Sequence, residues 1–234
     1  MITGDIRNIL KTVGDQLPRT RQWQLTTRPE KLRFVVNDVD DVLLARNAIL
    51  LELCQELDSN CHKDMVFFWS VWYNAELSKN AFARLKGLIS KLITNIENND
   101  SSSIWTFGNE DTKRAVLRVW KDWVGRKFDT KEIKDNREQI ERIGLDELNR
   151  QYFIANELNK NVDQLFKQES REWKQTGIYI PKNGAQSKKE RRAERKRGQT
   201  MERVINPTMM RPGSNIWSLH YSSDPASSHI PFDV

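Results

Sequence analysis

The chain has 234 residues, a formal net charge of +6, 38% hydrophobic residues and 30% charged residues. This length suits one large domain or two small ones, and we expect one domain with appendages. A mean hydropathy of −0.71 and the lack of any run near the roughly 20 apolar residues of a bilayer span argue against a membrane protein.

The positive charge is concentrated in one short run. The segment KKERRAERKR, residues 188–197, contains seven basic and two acidic residues and so contributes +5 of the +6. A run of this kind can neutralise phosphates, and its candidate nucleic-acid contacts are Lys188, Lys189, Arg191, Arg192, Arg195, Lys196 and Arg197. Little aromatic interleaving accompanies it, so a solvated helix or loop is the competing interpretation.

The N-terminal third of the sequence reads as helix, strand and helix. Apolar residues recur at helical spacing over 4–17 until Pro18. The segment 32–36 is short, contains β-branched and aromatic residues, and is apolar at nearly every position. This pattern predicts a strand buried on both faces, as in a parallel sheet. From Asp40 the pattern predicts a helix with apolar positions at Leu43, Leu44, Ala48, Leu51 and Leu57.

Residues 64–77 are ambiguous. Val66–Trp69 could be a strand, but Phe68, Val71, Trp72 and Ala75 lie on one helical face, and we favour a helix. The Trp69/Trp72 pair and the Trp120/Trp123 pair are assigned to core packing rather than to an exposed interaction surface.

Further helices are predicted along the chain. The apolar positions of the first lie at residues 82–93 and those of the second at Val116, Val119, Trp120 and Trp123, before Gly125. A third apolar stripe runs over 145–166. The composition changes after Gly177, so we predict a helix-rich α/β domain over 1–180, a basic connector over 181–204, and a closing strand and tail of the same domain over 205–234.

Asp38 is the one candidate ligand position that the pattern suggests. A carboxylate at the carboxyl end of a strand, beside a glycine-containing turn, is the arrangement that holds a ribose in dinucleotide-type and S-adenosylmethionine-type folds. Gly4 and Asp5 would supply the turn, but this turn has a single glycine and only three residues before it. The alternative role for Asp38 is in the turn or the helix start.

Catalytic and metal sites are not supported by the residues. His62, His220 and His229 are the only histidines and none lies near a nucleophile turn. Cys61 and His62 are adjacent and no second cysteine pair follows, so we expect no zinc site. Cys54 lies in an apolar helical pattern and is interpreted as a small buried hydrophobe. A disulfide is not favoured, which fits a reducing compartment, and we expect a cytoplasmic protein.

Several segments together resemble a known family. They are GDIRNILKTV at 4–13, LRFVVNDVDDVLLARNAILL at 32–51, NPTM at 206–209 and LHYSSDP at 219–225. They are similar to an uncharacterised eukaryotic domain that also occurs in the dynein axonemal assembly factor family and in some MYND-type zinc-finger proteins. The usual pattern there begins with a strand and a glycine-rich turn. That first strand and the upstream glycines are missing here, so the chain is expected to be truncated at its N-terminus.

The resemblance implies an incomplete Rossmann-like, methyltransferase-like core with large helical elaboration. The role associated with the assembly-factor relatives is preassembly of dynein complexes. This chain lacks the further C-terminal region of those relatives and the cysteines of the zinc-finger relatives. We therefore predict a non-catalytic protein-interaction module with protein partners and no cofactor. The alternatives are an S-adenosylmethionine-dependent methyltransferase-like or ligand-binding protein with a vestigial pocket at Gly4, Asp5 and Asp38, and a nucleic-acid-binding protein that acts through 188–197.

Overall fold

The computed structural model describes residues 2–3, 6, 9, 34–58, 60–99, 105–127, 131–132, 134–135, 138 and 203–209. Among the described residues, the helices with complete bounds are α1 (Asp41–Glu56), α2 (His62–Tyr73), α3 (Lys79–Glu97) and α4 (Glu110–Gly125). Its strands are β1 (Ile2–Thr3), β2 (Val35–Val36), β3 (Glu76–Ser78) and β4 (Arg203–Ile205), and a 3₁₀ turn spans Pro207–Met209. The helix-rich character predicted from the sequence is confirmed.

A short strand precedes Gly4, although the sequence led us to expect no strand there. β1 pairs in parallel with β2, with Ile2 opposite Val35 and Thr3 opposite Val36. The expectation that too few residues precede Gly4 to form a strand was wrong, because a strand of two residues fits within them. The expected truncation of the chain stays a prediction. The prediction that β2 is buried on both faces is also wrong. Val35 is 50% exposed, and because neighbouring side chains of a strand point to opposite faces, one face of β2 is open.

α1 begins where the sequence predicts. The carboxylate of Asp40 accepts a hydrogen bond from the Val42 N–H at 2.9 Å and caps the helix, and Asp41 lies in its first turn. α1 packs against both α2 and α4, and the predicted apolar residues Leu44, Leu51 and Leu57 contact the core without being its most buried members. Leu43, Leu44, Leu51 and Leu57 are only half-buried. The buried apolar residues are Val42, Ala45, Ala48, Ile49, Leu50 and Leu53.

The other helices follow their apolar patterns. Residues 62–73 are helical, which decides the ambiguous segment in favour of helix, and Phe68, Val71 and Trp72 are buried. The predicted apolar positions of α4 are all buried, Trp120 and Trp123 completely so. Trp69 is half-buried and stacks on Trp72 with ring centroids 5.8 Å apart. The assignment of both tryptophan pairs to the core is confirmed.

The described strands form two separate two-stranded sheets. One is the parallel β1–β2 pair, and the other pairs β3 with β4 in antiparallel register, with Glu76 opposite Ile205 and Ser78 opposite Arg203. An extended Rossmann-like sheet is therefore not seen among the residues that the structure describes. β4 includes Arg203 and Val204, which the sequence-based division assigns to the basic connector.

One hydrophobic cluster joins α1, α2, α3 and α4. It includes Ile6 near the N-terminus, and Val204 of β4 packs against it. Cys54 lies on the outer side of α1 and is exposed as a residue, although partial burial of its thiol raises the pKa of that group to about 11. Cys54 and Cys61 are both free thiols. In the described part of the chain, no helix is long and apolar enough to cross a membrane.

Candidate functional site

Asp38 lies at the carboxyl end of β2 and takes part in the turn that leads into α1. Its Oδ1 accepts a hydrogen bond from the Asp40 N–H at 2.9 Å, and the side chain is half-buried. This contact orients Asp40, which in turn caps α1. Val39, between the two aspartates, is 99% exposed. Asp38, the side chain predicted to bind a ribose, therefore uses one carboxylate oxygen to stabilise the turn at the start of α1.

The remaining members of the predicted pocket lie outside the described residues. Thr3 is opposite Val36 in the parallel register, and Gly4 and Asp5 follow Thr3 in the sequence. The basic run 188–197 also lies outside the described residues, as do the stripe at 145–166 and the segment 219–225, so predictions about them stay predictions.

The Ala-Arg-Asn motif of the resemblance is buried inside the domain. Ala45, Arg46 and Asn47 all lie in α1 with at most 4% exposure. The guanidinium of Arg46 donates to the carbonyl of Trp72, near the C-terminal end of α2. The carbonyl of Ala45 accepts a hydrogen bond from Nε1 of Trp120 at 3.0 Å. Because a helix C-terminus carries partial negative charge and unpaired carbonyls, a cation at this place stabilises α2.

The Asn-Pro-Thr-Met motif at residues 206–209 also contacts the C-terminal end of α2, although it lies far away in the sequence. Asn206 is fully buried, and its Nδ2 donates to the carbonyls of Val71 at 3.0 Å and Asn74 at 2.7 Å. Its Oδ1 accepts from the Thr208 N–H at 3.1 Å and from the Thr208 hydroxyl at 2.9 Å. Its backbone N–H donates to the carbonyl of Ala75 at 2.8 Å. These bonds use all the ordinary hydrogen-bonding capacity of the Asn206 amide nitrogen and two acceptor positions of its oxygen.

We call this set of contacts the α2 clamp: Arg46, Asn206 and Thr208 around the carbonyls of Val71, Trp72, Asn74 and Ala75. A helix leaves its last four carbonyls without intrahelical partners. Within α2, the carbonyl of Ser70 is satisfied by the Asn74 N–H, and those of Val71 and Trp72 are satisfied by the clamp. Two of the motifs that carry the resemblance therefore stabilise the fold.

A groove lies between α1, α2 and α3. It has a volume of about 180 Å³. We call it the three-helix groove, and it is lined by Leu53, Glu56, Leu57, Phe67, Arg84, Gly87, Leu88 and Lys91. Its walls are mainly apolar and its charged groups are at the rim.

The rim charges form two ion pairs. Arg84 lies over the ring of Phe67, 4.3 Å from its centroid, and donates to Asp64 at 2.7 Å. This hydrogen bond, with a second from the Asp58 N–H, lowers the pKa of Asp64 below its ordinary value. Lys91 donates to Glu56, and this bond together with the nearby charge raises the pKa of Lys91.

The described residues do not form a metal-binding site. Among them, no three His, Cys, Asp or Glu side chains gather closely enough to hold a metal ion.

Residues 1–77 match a family described as "Domain of unknown function (DUF4470)". The match covers 77 of the 234 residues and extends from β1 to the middle of β3. It includes Asp38 and the Ala-Arg-Asn motif but not Asn206. This supports the resemblance to an uncharacterised domain. No curated protein and no solved structure matches the chain.

Sequence reasoning did not find the α2 clamp or the groove. The resemblance drew attention to residues 206–209 as a closing motif, but nothing local indicates that Asn206 binds carbonyls about 130 residues earlier. Gly87 was the one available signal for the groove, since a glycine inside a helical pattern costs about 1 kcal/mol relative to alanine and calls for an explanation.

Proposed function

We propose that this chain is a non-catalytic protein-interaction module that serves in the assembly of protein complexes in the cytoplasm, in the manner that its resemblance to the dynein axonemal assembly factor family implies. The observation that carries the proposal is that the polar side chains of the motifs form hydrogen bonds within the fold. Arg46, Asn206 and Thr208 direct their polar groups to the end of α2 inside the core. Side chains engaged in this way are not available to a substrate.

The size of the three-helix groove supports the same function. Pockets for drug-sized ligands and cofactors usually measure about 300–1,000 Å³. The groove is smaller, at about 180 Å³. It suits a side chain from a partner better than a nucleotide-sized cofactor.

One observation favours a second candidate, an S-adenosylmethionine-dependent or ligand-binding protein. β1 and β2 are parallel, and ligands of open α/β sheets bind at the carboxyl ends of such strands. Asp38 lies at that end. The hydrogen bond from Asp40 occupies one position on the Asp38 carboxylate, which can accept several more.

Isothermal titration with S-adenosylmethionine and S-adenosylhomocysteine separates the two candidates. For the interaction module we expect no saturable heat at millimolar ligand. Asp38→Ala should lower the free energy of unfolding by about 1 kcal/mol, because a turn hydrogen bond is lost. Asp40→Ala is the matched control and should cost a similar amount through loss of the cap. Micromolar binding by the wild type that Asp38→Ala abolishes and Asp40→Ala spares would favour the ligand-binding candidate instead.

A further inference from the structure

Residues 203–209 contact the rest of the domain as one continuous segment, which we call the strap. The strap begins with β4, which pairs with β3, and the backbone N–H of Asn206 extends this pairing by donating to the carbonyl of Ala75 at 2.8 Å. The side-chain amide of Asn206 then donates to the carbonyls of Val71 and Asn74. One short segment therefore binds both β3 and the end of α2.

The surface that receives the strap consists of backbone groups. We call it the acceptor: the edge of β3, Glu76–Ser78, and the carbonyls of Val71, Asn74 and Ala75. These groups are close together in the sequence, whereas Asn206 lies 135 residues after Val71. Addition of an extended segment to a strand edge is a general mode of peptide recognition, in which main-chain hydrogen bonds give affinity and buried side chains give specificity. The acceptor and the strap are related in this way.

The side chains of the strap supply the specificity. Ile205 and Met209 are buried apolar anchors on either side of Asn206, which is itself fully buried. A buried amide has to form its hydrogen bonds within the fold, and Asn206 forms them with two carbonyls of the acceptor. Neither a carboxylate nor a methyl group can donate these two bonds. The acceptor therefore selects an asparagine between two apolar anchors.

The strap also stabilises its own bound conformation. Oδ1 of Asn206 accepts hydrogen bonds from the N–H and the hydroxyl of Thr208, and the Met209 N–H donates to the carbonyl of Asn206 at 3.1 Å. Pro207 fixes one backbone dihedral angle of the turn. A ligand that is ordered by its own contacts loses less entropy when it binds. Because these contacts lie within residues 206–209, a separate peptide of the same sequence can form the same turn.

We propose that the acceptor is a peptide-binding site whose ligand in this structure is the strap, and that a segment of the sequence Arg-Val-Ile-Asn-Pro-Thr-Met from another molecule binds there when the strap is displaced. This inference goes beyond the proposed function, because it names a site and the chemistry of its ligand. It does not depend on that function, since both the site and one ligand are seen in the structure.

The test is a peptide titration of the full chain carrying Asn206→Ala, followed by urea unfolding. The substitution weakens the strap and leaves the acceptor unchanged, so the site is vacated. The probe is acetyl-Arg-Val-Ile-Asn-Pro-Thr-Met-amide. Because a ligand of the folded state raises stability, the urea midpoint of the variant should rise with peptide concentration. We expect half-saturation at about 1 mM or below, where the bonds of the asparagine and the burial of its apolar neighbours exceed the cost of association.

A second peptide tests the role of the amide. It carries Asp in place of Asn, which removes both donated bonds and places a negative charge against the acceptor carbonyls. It should bind at least about tenfold more weakly than the probe.

Two host chains serve as controls. Asn109→Ala loses one hydrogen bond at the cap of α4 but keeps an intact strap, so the probe should leave its urea midpoint unchanged. The wild type should require at least about tenfold more probe than Asn206→Ala, because its own strap competes as an intramolecular ligand. Amide chemical shifts of the ¹⁵N-labelled Asn206→Ala chain locate the binding, and they should change at Glu76, Leu77 and Ser78, which pair with β4.

The proposal is overturned if the probe leaves the urea midpoint of Asn206→Ala unchanged, if the Asp peptide binds as well as the probe, or if Asn109→Ala is stabilised to the same extent. Shift changes that spare β3 would also overturn it. If Asn206→Ala is unfolded in buffer, the titration is carried out in trimethylamine N-oxide, which favours the folded state because it is excluded from the protein surface. The same outcomes then decide the proposal.

Discussion

Replacing Asn206 with alanine should be among the most destabilising single changes in the described part of the chain. The side chain is fully buried and makes four hydrogen bonds, two donated to Val71 and Asn74 and two accepted from Thr208. A hydrogen bond within a folded protein contributes about 1 kcal/mol net, so the four together amount to about 4 kcal/mol. The substitution also leaves buried carbonyls unpaired, which keeps the cost from falling much below that figure.

Urea unfolding followed by tryptophan fluorescence measures this loss, because Trp72 lies next to the clamp and is buried. Asn109→Ala is the matched control. Asn109 caps α4 through one hydrogen bond, to the Thr112 N–H at 2.8 Å, and its loss should cost about 1 kcal/mol.

A domain at the lower end of the ordinary range of stability, about 5–15 kcal/mol, should tolerate Asn206→Ala only narrowly. If that variant is unfolded, Thr208→Val provides a milder test, since it removes one hydroxyl bond to Asn206 and should cost about 1–2 kcal/mol. A loss below about 1 kcal/mol for Asn206→Ala, no larger than that of Asn109→Ala, would refute the view that residues 206–209 hold the end of α2.

Three further outcomes follow from the structure. Gly87→Ala should raise the free energy of unfolding by about 1 kcal/mol, because the added methyl meets no neighbour and alanine favours the helix; a destabilised variant would contradict this. Because Arg84 lowers the pKa of Asp64, the pair contributes stability above the ordinary aspartate pKa, near 4, and loses it as the pH falls through the lowered value. Asp64→Asn should therefore flatten the acid limb of the stability–pH curve, and an unchanged limb would count against the pair. Trp120→Phe should cost about 2 kcal/mol in urea unfolding through loss of volume and of the bond to Ala45, and a neutral result would place that indole outside the core.

The sequence by itself determined the helices α1 to α4, because the information that specifies them is local. The apolar spacing of Val116, Val119, Trp120 and Trp123 predicts the buried face of α4, and the structure buries all four. The position of Asp40 before an apolar run predicts the start of α1, and its carboxylate caps that helix. A cap or an amphipathic face depends on residues within one or two turns, so the pattern is visible in the sequence.

Only the tertiary structure decided which polar residues are buried and what they bind. Arg46 and Asn206 look like surface residues in the sequence, yet both are buried, since carbonyls at the end of α2 need donors there. The pairing of β3 with β4 joins Leu77 to Val204. Such contacts depend on where the folded chain brings distant segments together, and no local propensity encodes that position. The three-helix groove has the same origin, because its walls come from three helices and it exists only once they pack.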